Sequence, residues 1–356
     1  MKKILLLLTL FLLVISLSAC SGSFAASSWP GLSTSPAGET AFLATQNQVY
    51  AINTASGALR WQYPQETDRQ RTFFAPPVYT PKDTLLVGDY HNTLVSLNPD
   101  TGAETWRFTA NGRFVAAPLA TENAIYVPVA SGDLYALDYN GQPIWSAPFH
   151  SNQAFWATPV LDSDRLYISG MDHHIYALNA ADGSVIWDTQ LDGAINSAPL
   201  LQDGVLYVGT FANQVVAVDA QSGNTLWTTP TDGWVWATPQ ISNDLLLVGD
   251  ISGTFYALHA ADGSVAWKMS PDGPIATRAL LNGETAYFTT ESGTLYALDP
   301  ANGTPRWQYA IETGKLYTAP ISAQDAILIA PTGSDTLLTA VDAQNGTVHW
   351  QFTPKK

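Results

Sequence analysis

The sequence is poor in cysteine and in basic residues. Cys20 is the only cysteine among 356 residues, so the chain can form no internal disulfide and offers neither a thiolate metal cluster nor a vicinal cysteine pair. The 15 Lys and Arg residues stand against 30 Asp and Glu, a formal charge of −15. Because proteins bind nucleic acid by neutralising phosphates with basic side chains, this balance argues against a nucleic-acid partner.

Only the first 20 residues contain a long apolar run. Lys2 and Lys3 precede an almost unbroken apolar stretch, 4–17, and small residues lead into Cys20. This pattern is typical of a secretory signal that ends in a lipobox, and the run is shorter than the roughly 20 residues of a permanent membrane helix. We predict a signal peptide at 1–19, a lipid on Cys20 and a flexible tether over 20–28. The alternative is an incidental cysteine in an uncleaved anchor.

After Cys20 the sequence shows no sustained helical period, but one phrase recurs. An apolar strand ends in Asp or Asn, and a Gly and then a Trp follow, as in Tyr176-Ala177-Leu178-Asn179 with Gly183 and Trp187. In every copy the glycine lies four residues before the tryptophan, and a period near 40 residues is typical of four-stranded propeller blades. The tryptophans of the series are Trp61, Trp106, Trp145, Trp187, Trp227, Trp267, Trp307 and Trp350.

A second phrase, built around Ala-Pro, precedes each of these by about 20 residues, as in the segment 195–200, and a run rich in Leu, Tyr and Val follows it. Together the phrases predict four strands per repeat: an inner strand at the Ala-Pro, two middle strands and an outer strand that carries the tryptophan. The fold class is therefore all-β, a single eight-bladed β-propeller of four antiparallel strands per blade over 29–352. The predicted blades are 29–66, 73–108, 113–148, 155–190, 195–230, 235–270, 275–310 and 316–352.

Two repeats depart from the pattern. The turn of the third, Asp138-Tyr139-Asn140-Gly141, is one residue shorter, and the sixth carries His259 at the Asp position. The first repeat has no clear Ala-Pro phrase, and residues 29–33 are its only candidate. We expect these departures to change turns without changing the order of the strands.

The repeated Ala-x-Asp-x-x-x-Gly-x-x-x-Trp pattern resembles the tryptophan-docking motif of PQQ-like β-propellers. That family includes quinoprotein dehydrogenases and the BamB type of outer-membrane assembly lipoprotein, and the resemblance covers residues 29–352. It implies that the eight periodic tryptophans are structural, each packing between neighbouring blades. We expect each to bury up to about 150–250 Å². Because burial of this area stabilises the scaffold strongly, we do not expect these tryptophans to contact a ligand.

Candidate functional residues come from the remaining tryptophans and from the positions around the Ala-Pro phrase. Aligned on the proline, the residue three positions earlier varies between blades, the residue four earlier is always apolar, and the residue two earlier is always small. Strand alternation directs the variable column toward the axial channel, where it either binds an extended peptide or a ligand, or plugs the hollow axis. The candidates for channel lining or partner binding are Phe74, Trp156, Asn196, Trp234, Trp236, Arg278 and Tyr317.

Arg278 differs most from its counterparts, because the residues at the equivalent position of the other blades are small. An unpaired buried charge costs several kcal/mol, so Arg278 must face water, pair with an acid or meet an anionic ligand. Pairing with a nearby carboxylate is the favoured interpretation.

The run Asp172-His173-His174, with His91 in an earlier hairpin, is the one pattern that suggests a metal. Both lie where turns are expected, and no third ligand falls at a suitable spacing. We therefore predict no metal site.

These observations favour a non-catalytic, membrane-anchored scaffold that binds protein partners, similar to the BamB type if the cell has an outer membrane. Ser21 replaces the Asp that would resemble an inner-membrane retention signal, so we expect attachment to the periplasmic face of an outer membrane, or to the outer surface of a single membrane. The alternatives are a ligand-binding or ligand-sensing propeller and, less favoured, a PQQ-dependent dehydrogenase. The resemblance implies long insertions, a vicinal disulfide and a calcium site in such enzymes; the insertions and the cysteine pair are missing here, so we predict no cofactor.

Overall fold

The computed structural model describes residues 29–66, 68 and 71–354. The predicted signal peptide, Cys20 and the tether lie outside these residues. Within them, no helix has the length and apolar character required to cross a bilayer.

Eight four-stranded antiparallel sheets follow one another along the chain, and the predicted all-β, eight-bladed propeller is confirmed. Each sheet takes its four strands in chain order from one continuous segment. The strands of the first four blades are β1 Gly31–Thr34, β2 Thr40–Thr45, β3 Gln48–Asn53, β4 Leu59–Tyr63, β5 Val78–Tyr79, β6 Leu85–Gly88, β7 Thr93–Leu97, β8 Glu104–Thr109, β9 Leu119–Ala120, β10 Ile125–Pro128, β11 Asp133–Leu137, β12 Phe149–His150, β13 Val160–Asp162, β14 Arg165–Ser169, β15 His174–Asn179 and β16 Val185–Gln190.

The last four blades repeat this arrangement, and the eighth blade also carries a separate two-stranded sheet formed by β29 and β32. Their strands are β17 Leu200–Gln202, β18 Val205–Thr210, β19 Gln214–Asp219, β20 Thr225–Pro230, β21 Gln240–Ser242, β22 Leu245–Gly249, β23 Phe255–His259, β24 Val265–Met269, β25 Leu280–Asn282, β26 Thr285–Thr289, β27 Thr294–Leu298, β28 Pro305–Ala310, β29 Lys315–Leu316, β30 Ile321–Ala323, β31 Ala326–Ile329, β32 Pro331–Thr332, β33 Leu338–Asp342 and β34 Val348–Phe352.

The hydrophobic core lies between the blades. Successive side chains of a strand point to opposite faces of the sheet, so Leu206 and Val208 of β18 pack against the fourth blade while Tyr207 packs against the sixth. The middle strands are therefore buried on both faces and read as continuous apolar runs. Eight apolar clusters result, one at each junction between adjacent blades.

Each periodic tryptophan packs over the turn glycine of the next blade. Gly303 has φ +71°, and a Cβ added there would lie 2.7 Å from Cε3 of Trp267. The Trp267 indole N–H also donates a hydrogen bond of 3.1 Å to the carbonyl of Pro300, in the same turn as the glycine. Glycine is therefore required both for the left-handed backbone and for the close approach of the indole.

The same contact closes the ring. Trp350 of the last blade packs on Gly57 of the first, and its Nε1 donates to the Thr54 carbonyl at 2.7 Å. The Thr318 hydroxyl donates to the carbonyl of Pro30 at 2.6 Å. Closure thus needs no exchange of strands between the first and last blades.

Two details of the predicted strands are wrong. The inner strand does not lie at the Ala-Pro phrase but begins directly after it, because the preceding backbone bonds to the previous blade instead: the Ile195 and Val235 N–H groups donate to the carbonyls of Gly170 and Thr210. We call the residues before each inner strand, up to and including the Ala-Pro proline or its equivalent, the lead-in. In the third blade Trp145 lies outside the short outer strand β12.

The shortened turn of the third blade also changes the hydrogen bond of the neighbouring tryptophan. In the other turns the carbonyl three residues before the glycine accepts the indole N–H. In the shortened turn this carbonyl, that of Asp138, accepts the Gly141 N–H instead, and Trp106 makes no such bond to the described residues. The order of the strands is unaffected.

The antiparallel order defines two faces of the disc. The lead-in face carries the lead-ins and the hairpins between the second and third strands. The turn face carries the hairpins between the first and second strands and the glycine turns.

Candidate functional site at the propeller axis

The lead-ins surround a cavity of about 820 Å³ on the propeller axis. Pro30, Pro76, Pro118, Pro159 and Pro199 are among its walls, together with the inner strands. A cavity of this size falls in the range of small-molecule sites, about 300–1,000 Å³.

The variable column of the lead-ins faces this cavity. Within each lead-in, exposure alternates: Phe155 is buried, Trp156 is exposed, and Ala157 is buried. The apolar residue packs into the blade and the next one faces the axis, because the lead-in is extended. The cavity-facing residues in chain order are Phe74, Val115, Trp156, Asn196, Trp236, Ala276 and Tyr317.

Trp234, the remaining aromatic candidate, does not line the cavity. It lies on the lead-in face, with its ring stacked on Phe211 at a centroid distance of 5.2 Å. Phe211 belongs to the hairpin between β18 and β19 and also stacks on Trp236 at 5.7 Å. The aromatic surface therefore extends from the axis outward over the lead-in face.

Trp29 contacts two other blades at the cavity mouth. Its ring stacks on Tyr317 of the eighth blade at 5.8 Å and packs against Trp236 of the sixth at 6.3 Å. Trp29 partly fills the mouth, as the plugging interpretation expects, but the cavity of about 820 Å³ remains beside it.

Arg278 lines the cavity without an acidic partner, so the favoured pairing with a carboxylate is wrong. None of the salt bridges among residues 29–66, 68 and 71–354 includes it. The side chain is exposed to solvent, and the surrounding protein atoms lower the pKa of the guanidinium through desolvation. The pairing fails because the described cavity walls contain no carboxylate.

The residues that line the cavity also show whether a calcium-dependent quinone site fits there. Calcium takes carboxylate and carbonyl oxygens, but no Asp or Glu is among the described cavity residues. The side chains offered there are aromatic and aliphatic, apart from Arg278, Asn196, Gln240 and a few hydroxyls. These residues do not fit such a metal site.

The histidine run is part of the hairpin structure. The Asp172 carboxylate accepts hydrogen bonds from the Tyr176 hydroxyl and the Asn152 N–H, and His174 Nδ1 lies 3.1 Å from Asp188. No group of three possible metal ligands occurs among the described residues.

Two residues of the aromatic surface, Trp29 and Phe211, were not among the candidates predicted from the sequence. Trp29 belongs to the first repeat, which has no clear Ala-Pro phrase, so the alignment omitted it. Phe211 lies in a hairpin position that holds Tyr90, Met171 and Ile251 in other blades, and comparison of that column would have marked it.

The chain matches the sequence pattern of a family described as outer membrane protein assembly factor BamB, over residues 47–155, 130–233 and 201–351. The matches overlap and together span most of the propeller.

The similar proteins include an assembly factor of this family and also a dehydrogenase. An outer membrane protein assembly factor BamB from Nitrosomonas eutropha is 28% identical over 130 residues, 36% of this chain and 31% of that protein. A polyvinylalcohol dehydrogenase from a Sphingopyxis species is 24% identical over 203 residues, 41% of this chain and 31% of that protein. The matched segments thus span about a third of these curated relatives. The crystal structure of BamB from Moraxella catarrhalis superposes with a TM-score of 0.72 at 19% identity, covering 90% of this chain and 96% of that one.

Proposed function

The chain belongs to the family of outer membrane protein assembly factor BamB, and we propose that it is a non-catalytic, membrane-anchored propeller that binds a protein component of outer-membrane protein assembly. The family match spans most of the propeller. Three parts of the proposal go beyond the family assignment: the anchor, the face that binds the partner, and the absence of catalysis.

Exposed tryptophan on one face is the observation that carries the proposal. Trp29, Trp156 and Trp234 are 39%, 37% and 45% exposed, and all three lie in lead-ins. Tryptophan dominates protein-binding hot spots because it buries a large apolar area at low entropic cost. Except for Ile144, the other exposed large apolar side chains of the described residues, such as Leu226 and Val185, lie on outer strands around the circumference. The lead-in face is therefore the proposed partner-binding face.

The anchor supports the same face. The proposed lipid on Cys20 is nine residues before Trp29, a distance of at most about 32 Å in a fully extended chain. Since the chain enters the disc at the cavity mouth, this tether keeps the lead-in face close to the membrane surface.

A non-catalytic role is supported by the chemistry of the cavity. The sequence lacks a second cysteine, and the described cavity walls lack carboxylates. Those walls therefore offer no carboxylate to act as a general base or as a metal ligand.

The proposal is tested by capture from solubilised envelopes. A tagged wild-type chain should retain an identified outer-membrane assembly component, and Trp234→Ala should weaken retention at least tenfold, the loss typical of a hot-spot residue. Leu226→Ala, which removes a side chain that is 53% exposed on the circumference, is the matched control and should retain the partner. Equal retention by both variants, or no assembly component in the wild-type sample, contradicts the proposal.

The anchor is tested separately. Wild-type cells fed an alkyne fatty acid should label the protein, and Cys20→Ser should abolish the label. A labelled Cys20→Ser chain, or an unlabelled wild-type chain, contradicts lipidation at this position.

A further inference from the structure

The axial cavity holds a single fixed charge. Arg278 is the only Lys, Arg, Asp, Glu or His among the residues that line it in the described part of the chain. The equivalent positions in other blades carry small uncharged side chains, for example Ala198, Thr238 and Ala319. One blade thus places a guanidinium where the ring otherwise provides a neutral wall.

Nothing in the fold requires this charge. Arg278 forms no salt bridge with any described acid, although the chain carries twice as many acidic as basic residues. Its guanidinium is desolvated enough to lower its pKa, yet arginine stays protonated at neutral pH. Because this exposed cation has no acidic partner among the described residues, its guanidinium N–H groups are available to an anion that enters the cavity.

The walls around Arg278 suit an apolar body. Phe74, Trp156, Trp236 and Tyr317 face the cavity, and ring faces bind flat apolar groups by stacking. The cavity walls therefore suit a ligand with a flat apolar ring system.

We propose that the axial cavity binds a small organic monoanion, in which a carboxylate pairs with Arg278 and a flat apolar ring system packs against the aromatic walls. Arginine and carboxylate form two parallel hydrogen bonds, and the cavity volume of about 820 Å³ accommodates a ligand of this kind. Only one anionic group is expected, because the described walls provide only one cation. This site goes beyond the proposed scaffold role and does not depend on it.

The test uses the purified mature chain and titration calorimetry with 2-naphthoate, whose carboxylate and ring system match the proposed ligand. The neutral 2-naphthamide has the same ring system without the charge. We expect the carboxylate to bind at least tenfold more tightly than the amide, and Arg278→Met to abolish that difference while leaving weak binding of the amide. Arg60→Gln, which removes an exposed cation on β4, is the matched control and should bind like the wild type.

A stability measurement separates a ligand-binding arginine from a structural one. Because Arg278 has no partner to lose, Arg278→Met should melt at or above the wild-type temperature. A clearly lower melting temperature shows that Arg278 supports the fold and overturns the proposal.

Two binding results also overturn it. The first is equal affinity for 2-naphthoate and 2-naphthamide, because the charge then has no role. The second is failure of benzoate, 2-naphthoate and decanoate alike to bind up to about 5 mM, which corresponds to less than about 3 kcal/mol of binding free energy.

Discussion

Substituting a single glycine tests the packing of tryptophan between blades. In Gly303→Ala the new Cβ would lie 2.7 Å from Cε3 of Trp267, closer than carbon atoms approach without displacement. Gly283, in the same blade, also has a positive φ, +59°, but a Cβ added there would have no atom within 4 Å. Gly283→Ala is therefore the matched control, because it tests the backbone conformation alone.

The two substitutions share one energetic cost and differ in a second. An alanine in the left-handed region costs about 1–2 kcal/mol, and this applies to both. Displacement of the Trp267 indole adds about 1–3 kcal/mol, the usual cost of overpacking a core. For a domain of roughly 320 residues this difference lowers the melting temperature by about 2–4 °C.

Differential scanning calorimetry of the two variants measures this difference directly. Gly303→Ala should melt about 2–4 °C below Gly283→Ala, and indole fluorescence should change only in Gly303→Ala. Equal melting temperatures would refute the conclusion that the glycine is required for the close approach of the indole.

Three further predictions concern ring closure and turn chemistry. Trp350→Ala should destabilise the chain by about 3–5 kcal/mol in urea unfolding, whereas a loss below about 1 kcal/mol would show that the first and last blades are joined by other contacts. Thr318→Val should cost about 1–2 kcal/mol in the same assay, because the buried Pro30 carbonyl loses its donor; an unchanged urea midpoint would contradict this. The hydrogen bond from the Ser222 hydroxyl lowers the pKa of Asp219, so its stabilisation is complete above the unfolded pKa of about 3.9 and is lost as the pH falls through the folded value. Asp219→Asn should therefore flatten the fall of the urea midpoint below about pH 4, and an identical slope would contradict the role of this turn.

The fold was predictable because the repeat encodes its own contacts. The fixed spacing of Gly303 and Trp307, repeated in eight blades, reflects the packing of each indole on the turn glycine of the next blade. The strand boundaries were less predictable. The lead-ins read as strands, but their backbone bonds to the preceding blade, and sequence periodicity does not reveal the partner of a hydrogen bond.

The cavity column was predictable for the same reason, since strand alternation continues through the lead-ins. The sequence did not predict which residues meet across the axis. Trp29 packs against Trp236, more than 200 residues away, and no local pattern signals that contact. For Arg278 the sequence predicted a contact that the structure lacks. Acids are abundant in the chain, but none of the described ones faces the cavity.

The central claim for this protein is that its lead-in face meets the assembly partner. Site-specific photo-crosslinking in intact cells tests it most directly, with the reactive residue placed at Trp234 on the lead-in face or at Ala261, which is exposed on the turn face of the same blade. Position 234 should crosslink to an identified outer-membrane assembly component and position 261 should not. A crosslink to that component from position 261, with none from position 234, would contradict the claim.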